Sequence, residues 1–461
     1  MQSSPTQQFE KLLIAQNLTV EIRKARLKKL KIVIKNKTAE IVKALNKDYG
    51  RRCEQETQIA EVMICLDEIN HTLKHLDAWV KPQTKASSYK FMFSKSAIIA
   101  QPLGVVGIIA PWNYPFNLAI APFVAAVSAG NKVMLKPSEI TPHTSQIIAD
   151  ILQDVFLDTE VAVCLGDLKV AQEFSTLPFK HILFTGSTAV GKIIMQAAAC
   201  HLTPVTLELG GKSPVIIDEK YNIKKAAISI VAGKFYNAGQ TCIAPDYILV
   251  NKNQQQALIT AIKDEVNRCF KEALTNPDYT AIINDNHFNR LKKLAQQCEQ
   301  KEQCLWVQGK DFDEKLNIFP PLLVINPDEN SEVMQNEIFG PILPIIGIGS
   351  IDEALTFINK RANPLTLYLF SNNSKLIRKV LKNTLSGSVA VNETLVQFAQ
   401  DGLPFGGIGE SGTGSYHGKK GFDGFSHLKS VYYQSRLNFN SLARAPYTSF
   451  KKKIVKLMSS M

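Results

Sequence analysis

The sequence predicts an α/β protein: a doubly wound parallel sheet, a second α/β unit after it, and a small β-ribbon standing off both. Three observations carry this expectation. From Gly104 onward short apolar runs alternate with amphipathic stretches, the order that builds a parallel sheet with helices on both faces. The same alternation restarts after Pro214. Ahead of the first series, Tyr89, Phe91 and Phe93 alternate with polar residues and lead into Ile98-Ile99, the pattern of a projecting strand pair.

The totals fit a globular chain with room for two or three domains: 461 residues, 45% hydrophobic and 20% charged. Net charge is +12, from 53 basic and 41 acidic residues, but the lysines are spread along the chain. A dispersed positive balance favours anionic ligands modestly and gives no nucleic-acid arm. The eight cysteines lack the paired spacing of a zinc ribbon, so no metal site is expected. Residues 1–10 are polar, and no apolar run reaches the roughly 18 residues of a membrane span. Reduced thiols and a cytoplasmic location are the expectation. The basic stretch 450–458 reads as a solvated, unordered tail, offering at most weak contact with an anionic membrane surface.

Residues 6–80 read as helices, because Leu12, Leu27, Leu30, Ile34, Ile41 and Leu45 recur at helical intervals among lysines and glutamates. Asp48-Tyr49-Gly50 punctuates them, and a further amphipathic stretch runs over 54–79. The first series then places strands at 105–110, 132–135, 161–165, 181–185 and 205–207, with helices at 115–129, 141–156 and 188–199. The second places strands at 215–217, 247–250, 320–325, 342–346 and 388–392. Its helices fall at 223–236, 354–360 and 376–383, with further elements over 255–270 and 289–303. Residues 403–427 are glycine-dense, and Phe405, Tyr416 and Phe422 mark the run as a packed loop. His417 and His427 within it have no metal-like partners and read as structural.

Polar and glycine-rich turns fall at the carboxyl ends of these strands, where ligands of a doubly wound sheet sit. Gly186-Ser187-Thr188 leaves a strand and opens a helix whose free N–H groups suit a phosphate, or is a plain strand-to-helix turn. Lys136-Pro137-Ser138-Glu139 offers an ammonium and a carboxylate to ribose hydroxyls, or a solvated loop with a helix cap at Ser138 or Thr141. In Pro111-Trp112-Asn113-Tyr114-Pro115, Asn113 is a candidate oxyanion donor, or a cap for the next helix. Glu208, just before Gly210-Gly211, is a candidate general base, or an exposed strand-end carboxylate. Cys242 stands in Gly239-Gln240-Thr241-Cys242-Ile243-Ala244-Pro245 with no second cysteine, histidine or basic residue within five positions. A thiol presented by such a turn is either a nucleophile or a small buried hydrophobe.

Taken together, Pro-Trp-Asn-Tyr-Pro, Lys-Pro-Ser-Glu, Phe-Thr-Gly-Ser-Thr-x-x-Gly, Glu-Leu-Gly-Gly-Lys-Ser-Pro, Gly-Gln-x-Cys, Glu-Ile-Phe-Gly-Pro and Pro-Phe-Gly-Gly occur in an order that resembles the aldehyde dehydrogenase superfamily, over residues from about 10 to 435. The short N-terminus and the segment 416–427 resemble its class 3 branch of fatty and aromatic aldehyde dehydrogenases, and coniferyl aldehyde dehydrogenases have a similar outline.

The resemblance implies an NAD(P)-binding domain over 1–82 and 103–208, and a catalytic domain over 209–415. It further implies an oligomerisation element with a C-terminal tail over 83–102 and 416–461, and a homodimer. It makes Cys242 the nucleophile, Asn113 the oxyanion donor and Glu208 the base that activates water. NAD or NADP would lie with its pyrophosphate along Gly186, Ser187 and Gly191, one ribose near Lys136 and Glu139, the other near Glu337 and Phe339. Tyr114 and Phe405 would line the aldehyde's entrance. Two rivals remain open. A CoA-acylating relative would be expected to lack Glu208, and an inactive scaffold would show damaged motifs.

Overall fold

The computed structural model describes residues 4–14, 18–87, 91, 93–436, 442 and 444–459; Tyr89, part of the expected ribbon, lies outside them. Helices Val20–Asn36, Thr38–Tyr49 and Ile64–Trp79 pack over one face of the first sheet and Pro5–Ile14 over the other, and Gln58–Met63 is a π-helical turn inside the stretch expected to be one helix. Glu61 lies in that turn. Its Oε2 accepts the Phe116 and Asn117 amides at 3.0 and 2.8 Å, capping the helix Asn117–Ser128 from another element.

The first sheet has six strands in the order Gly412–Thr413, Val205–Leu209, Ile182–Gly186, Val105–Ile109, Lys132–Lys136, Val161–Val163. All pairings are parallel except that of Gly412–Thr413. The chain starts at Val105–Ile109, steps outward twice, then crosses back to Ile182–Gly186. That reversal makes the boundary between those two strands the topological switch point, where a doubly wound sheet opens a crevice. Gly412–Thr413 lies within 209–415, yet it pairs with Glu208 and Leu207 and so belongs to this sheet.

The second sheet runs Cys304–Trp306, Leu322–Ile325, Ile342–Ile348, Tyr247–Asn251, Pro214–Ile217, Thr366–Phe370, Ser388–Val391. Only the edge strand Cys304–Trp306 is antiparallel. Because Pro214–Ile217 starts five residues after Val205–Leu209 ends, the amino edge of this sheet faces the carboxyl edge of the first. The Cys242 turn precedes Tyr247–Asn251, and Glu337-Ile338-Phe339 precedes Ile342–Ile348; both therefore reach back toward the first sheet.

The ribbon is a three-stranded antiparallel sheet, with Lys95–Pro102 between Gln83–Lys85 and Ser426–Tyr433. Several bounds differ from expectation. The helices Leu168–Ser175 and Gly418–Gly424 and the edge strand Cys304–Trp306 carry too few apolar repeats to register as periodic. The basic tail is a correction: Ser449–Ser459 is helical rather than unordered, with Phe450 exposed. Among the described residues no helix is long and apolar enough to cross a membrane.

Candidate active site

The thiol turn is built from a run of unusual backbone. After the helix Ile223–Phe235, Asn237, Ala238 and Gly239 all have positive φ, at 51°, 49° and 77°. Left-handed conformation costs asparagine and alanine about 1–2 kcal/mol each, so neighbouring groups must hold it. They do. Asn237 receives Arg52 on its Oδ1 at 2.6 Å, gives its Nδ2 to the Asn113 carbonyl at 3.0 Å, and gives its amide to Glu56 at 3.0 Å. Gly239 is required on space as well, since a Cβ there would strike the Gly340 carbonyl.

Asn113 is buried, not a helix cap, and its Nδ2 donates to the Gln240 carbonyl at 3.1 Å. One of its two amide hydrogens is thus used to hold the loop two residues before Cys242, and the other remains to be shared. Tyr114 reaches the same turn, its hydroxyl 2.7 Å from Thr241 Oγ1. The amide and the thiol lie 129 positions apart in the chain, yet one hydrogen-bonded turn joins them.

Cys242 is half-buried on the wall of an apolar pocket of about 230 Å³, whose lining includes Tyr114, Leu118, Ile59, Val396 and Phe398. Burial first, then the carboxyls of Glu337 and Glu208, push its thiol up to about 12. The resting group is therefore protonated at neutral pH.

Glu208 is 2% exposed, which overturns the picture of an exposed strand-end carboxylate. It sits beside Thr185 in the neighbouring strand and beneath Gly412. A Cβ at Gly412 would strike the Leu207 carbonyl, so the glycine-dense loop covers this strand end by close backbone approach. Neither oxygen of Glu208 has a hydrogen-bond partner among the described residues, and burial raises its carboxyl well above the usual range.

A second, more polar space of about 590 Å³ opens between the sheets, lined by Thr188, Gly210, Gly211, Lys212, Glu337 and Asn363 among others. Glu337 is pushed up to about 8 by burial and by Asp246, and its Oε1 has no partner among the described residues. Gly210 leaves room for that carboxyl, which a Cβ would meet. Ser187 caps the helix Thr188–Ala199 by accepting the Val190 amide at 3.4 Å. Gly191 lies a turn further in and is a packing glycine: a Cβ there would press on Leu209 Cδ2 at 2.7 Å.

Lys136 closes the strand beside Val105–Ile109 and pairs with Glu139 at 3.0 Å. Neither Ser138 nor Thr141 caps the helix after them; Asp48 does, accepting the His143 and Thr144 amides at 3.0 and 2.8 Å. Phe339 has φ 47° and packs edge-on against Trp112 at 5.3 Å. Phe405 is the misplaced expectation. It is 4% exposed and stands 4.8 Å behind Phe398, which lines the pocket in its stead. The wall residues Ile59, Leu118, Val396 and Phe398 were missed, having no polar or glycine signal to mark them.

Two successive parallel sheets, with an apolar pocket carrying a thiol and a polar groove between them, are the architecture of a class of oxidoreductases whose known members are similar to this chain. The chain belongs to the aldehyde dehydrogenase family, whose model matches residues 8–431. The protein is an aldehyde dehydrogenase. It is 42% identical to the dimeric NADP-preferring aldehyde dehydrogenase of Rattus norvegicus, covering 91% of each chain. It is also 42% identical to a probable coniferyl aldehyde dehydrogenase of Pseudomonas aeruginosa, covering 94% of this chain and 90% of that one. Among solved structures, the substrate-bound state of Staphylococcus aureus AldH superposes with a TM-score of 0.94 at 40% identity, over 99% of this chain and 100% of that one.

Proposed function

We propose that the protein oxidises medium- or long-chain aliphatic or aromatic aldehydes to carboxylic acids through a covalent intermediate on Cys242, with NAD or NADP as hydride acceptor. The observation that carries this reading is the pairing of Cys242 on an apolar wall with the buried, unpartnered carboxyl of Glu208. The groove between the sheets suits a dinucleotide: Glu337 Oε1 is an orphaned acceptor for a ribose hydroxyl, and the Thr188 helix end suits a pyrophosphate. Lys136 and Glu139 stand at the same carboxyl rim for the other ribose. When bound, the nicotinamide supplies the hydride acceptor.

The Cys242 sulfur, having lost its proton to solvent, attacks the aldehyde carbon as a thiolate while the carbonyl π pair moves onto oxygen. Asn113 and the Cys242 amide hold the oxygen's developing charge. Loss of hydride from that carbon leaves a thioester on Cys242. Glu208 then takes a proton from water as the water oxygen attacks the thioester carbon, and the C–S bond breaks to free the acid and the thiolate.

The test is an aldehyde panel, with reduced cofactor followed by absorbance. We expect turnover with both NAD and NADP, and kcat/KM that rises from propanal to octanal and benzaldehyde because the pocket wall is apolar. Preference for short polar aldehydes overturns the substrate assignment.

Asn113→Ala is expected to cost about 10²–10³ in kcat with the fold intact, the usual loss for one oxyanion donor. Near-normal turnover in that variant removes Asn113 from the role. We also infer a homodimer through the three-stranded ribbon, where Leu428, Tyr432 and Tyr433 are exposed. Light scattering should give about twice the 51.2 kDa chain mass, and a monomer at micromolar concentration would refute this.

A further inference from the structure

We infer that Tyr368 is a positioning residue for the reaction, its hydroxyl tying the turn that carries Cys242 to the segment that walls the aldehyde pocket. The inference rests on the roles proposed above for Cys242 and for that pocket.

Tyr368 is fully buried in the strand Thr366–Phe370, which sits beside Pro214–Ile217 at the switch point of the second sheet. Its hydroxyl donates to the Ile243 carbonyl at 2.6 Å. It accepts the Leu395 amide at 3.3 Å and Gln397 Nε2 at 3.2 Å. One donor and two lone pairs are all a phenol has, so the group is saturated by these three partners.

Each partner has a place in the site. Ile243 follows the nucleophile, in a turn closed by the Ala244 amide on the Thr241 carbonyl at 2.9 Å. Tyr114 grips the same turn from the opposite side, through Thr241. Leu395 belongs to the run that contributes Leu395, Val396, Phe398 and Ala399 to the pocket wall. Leu395 also has φ 64°, a conformation that costs a branched-chain residue about 1–2 kcal/mol and persists only when held. The amide of this strained residue is the one that the tyrosine hydroxyl receives. Other anchors of the segment are the Phe398 ring against Phe405 and His417, at 4.8 and 4.7 Å, Thr394 Oγ1 on the Ser229 carbonyl at 2.6 Å, and Gln397 Nε2 on Thr366 Oγ1 at 3.0 Å. None of these reaches the thiol turn. A single hydroxyl therefore hydrogen-bonds both the turn that carries the sulfur and the wall segment.

Tyr368→Phe keeps the ring and removes all three bonds. With the Ile243 carbonyl released, kcat should fall about tenfold for propanal and octanal alike, since small misplacements of a reacting group cost roughly one to two factors of ten in rate. The KM for octanal should rise at least about fivefold, because only a long chain reaches the 395–399 wall, while that for propanal stays within about twofold. A purely structural role would lower the melting temperature or the active fraction and leave both KM values alone, and that result overturns the inference; so do wild-type kinetics. Gln397→Leu provides a second arm should the first variant fold poorly. It removes two bonds, that to the tyrosine hydroxyl and that to Thr366 Oγ1 at 3.0 Å, and leaves the tyrosine on Ile243, so octanal KM should move more than kcat. Equal changes in KM for both aldehydes would overturn the linkage. If Cys242→Ala is inactive and Tyr368→Phe behaves as wild type, this inference alone fails; if Cys242→Ala keeps full activity, the reading of the nucleophile fails and takes this one with it.

Discussion

Replacing Cys242 with alanine is expected to lower aldehyde oxidation by more than about 10⁴-fold, the scale of loss when a covalent nucleophile is removed. Cofactor and apolar aldehyde should still bind, because the groove and the pocket wall are built by other residues. The thiol itself makes a second, pH-resolved statement. Its value is raised to about 12, chiefly by burial and then by Glu337 and Glu208, so the thiolate is the minor form across the physiological range. Alkylation of the Cys242 peptide in the cofactor-free protein, followed by mass spectrometry, should therefore climb about tenfold per pH unit between pH 7 and 10 without levelling. A plateau near pH 7 would mean a preformed thiolate, and would place the activating base closer than this geometry does. Retained turnover in Cys242→Ala would end the covalent mechanism altogether.

Glu208→Gln should separate the two halves of the reaction. The first turnover, with about one equivalent of reduced cofactor per subunit, is expected to survive. Steady-state turnover should fall about 10²–10⁴-fold, the usual contribution of a positioned general base. Loss of the burst as well would assign Glu208 to the addition step rather than to water. Rescue of steady-state turnover by coenzyme A would show that the thioester accumulates and that a thiol acceptor can replace the missing base. Stability moves in the opposite sense. A buried carboxyl whose folded value is raised binds its proton more tightly folded than unfolded, so stability falls as pH rises from about 4.5 through the folded value. The uncharged glutamine has no such penalty. Its melting temperature should equal or exceed that of the parent at alkaline pH, which separates loss of chemistry from loss of fold.

Much of the site was legible residue by residue. Gly210-Gly211, Gly239 and the prolines flanking Asn113 mark turns by local backbone constraint, and such turns fall where the strands end. Other features were not legible, because they depend on partners far along the chain. The Asn117–Ser128 helix is capped by Glu61, and the Pro142–Val155 helix by Asp48, rather than by the residues just before them. Phe405 carries a motif's aromatic ring, yet Phe398 stands between it and the pocket. Glu208 reads in sequence as a general base or an exposed strand-end residue, and it is buried in a strand flanked by Thr185 on one side and Gly412 on the other.

The sequence by itself determined the chemical inventory and its order: a thiol, an amide and a carboxyl, each at a glycine- or proline-marked turn, on two successive βα series. Periodicity and turn chemistry are local, so they survive in a linear reading. The tertiary structure decided that the amino edge of the second sheet meets the carboxyl edge of the first, which ties Asn113 to the turn before Cys242 and brings the Glu208 carboxyl within electrostatic reach of the thiol. It also decided which apolar side chains wall the pocket. Contacts across a hundred positions come from how layers pack, and an apolar residue facing a substrate is written no differently from one facing the core.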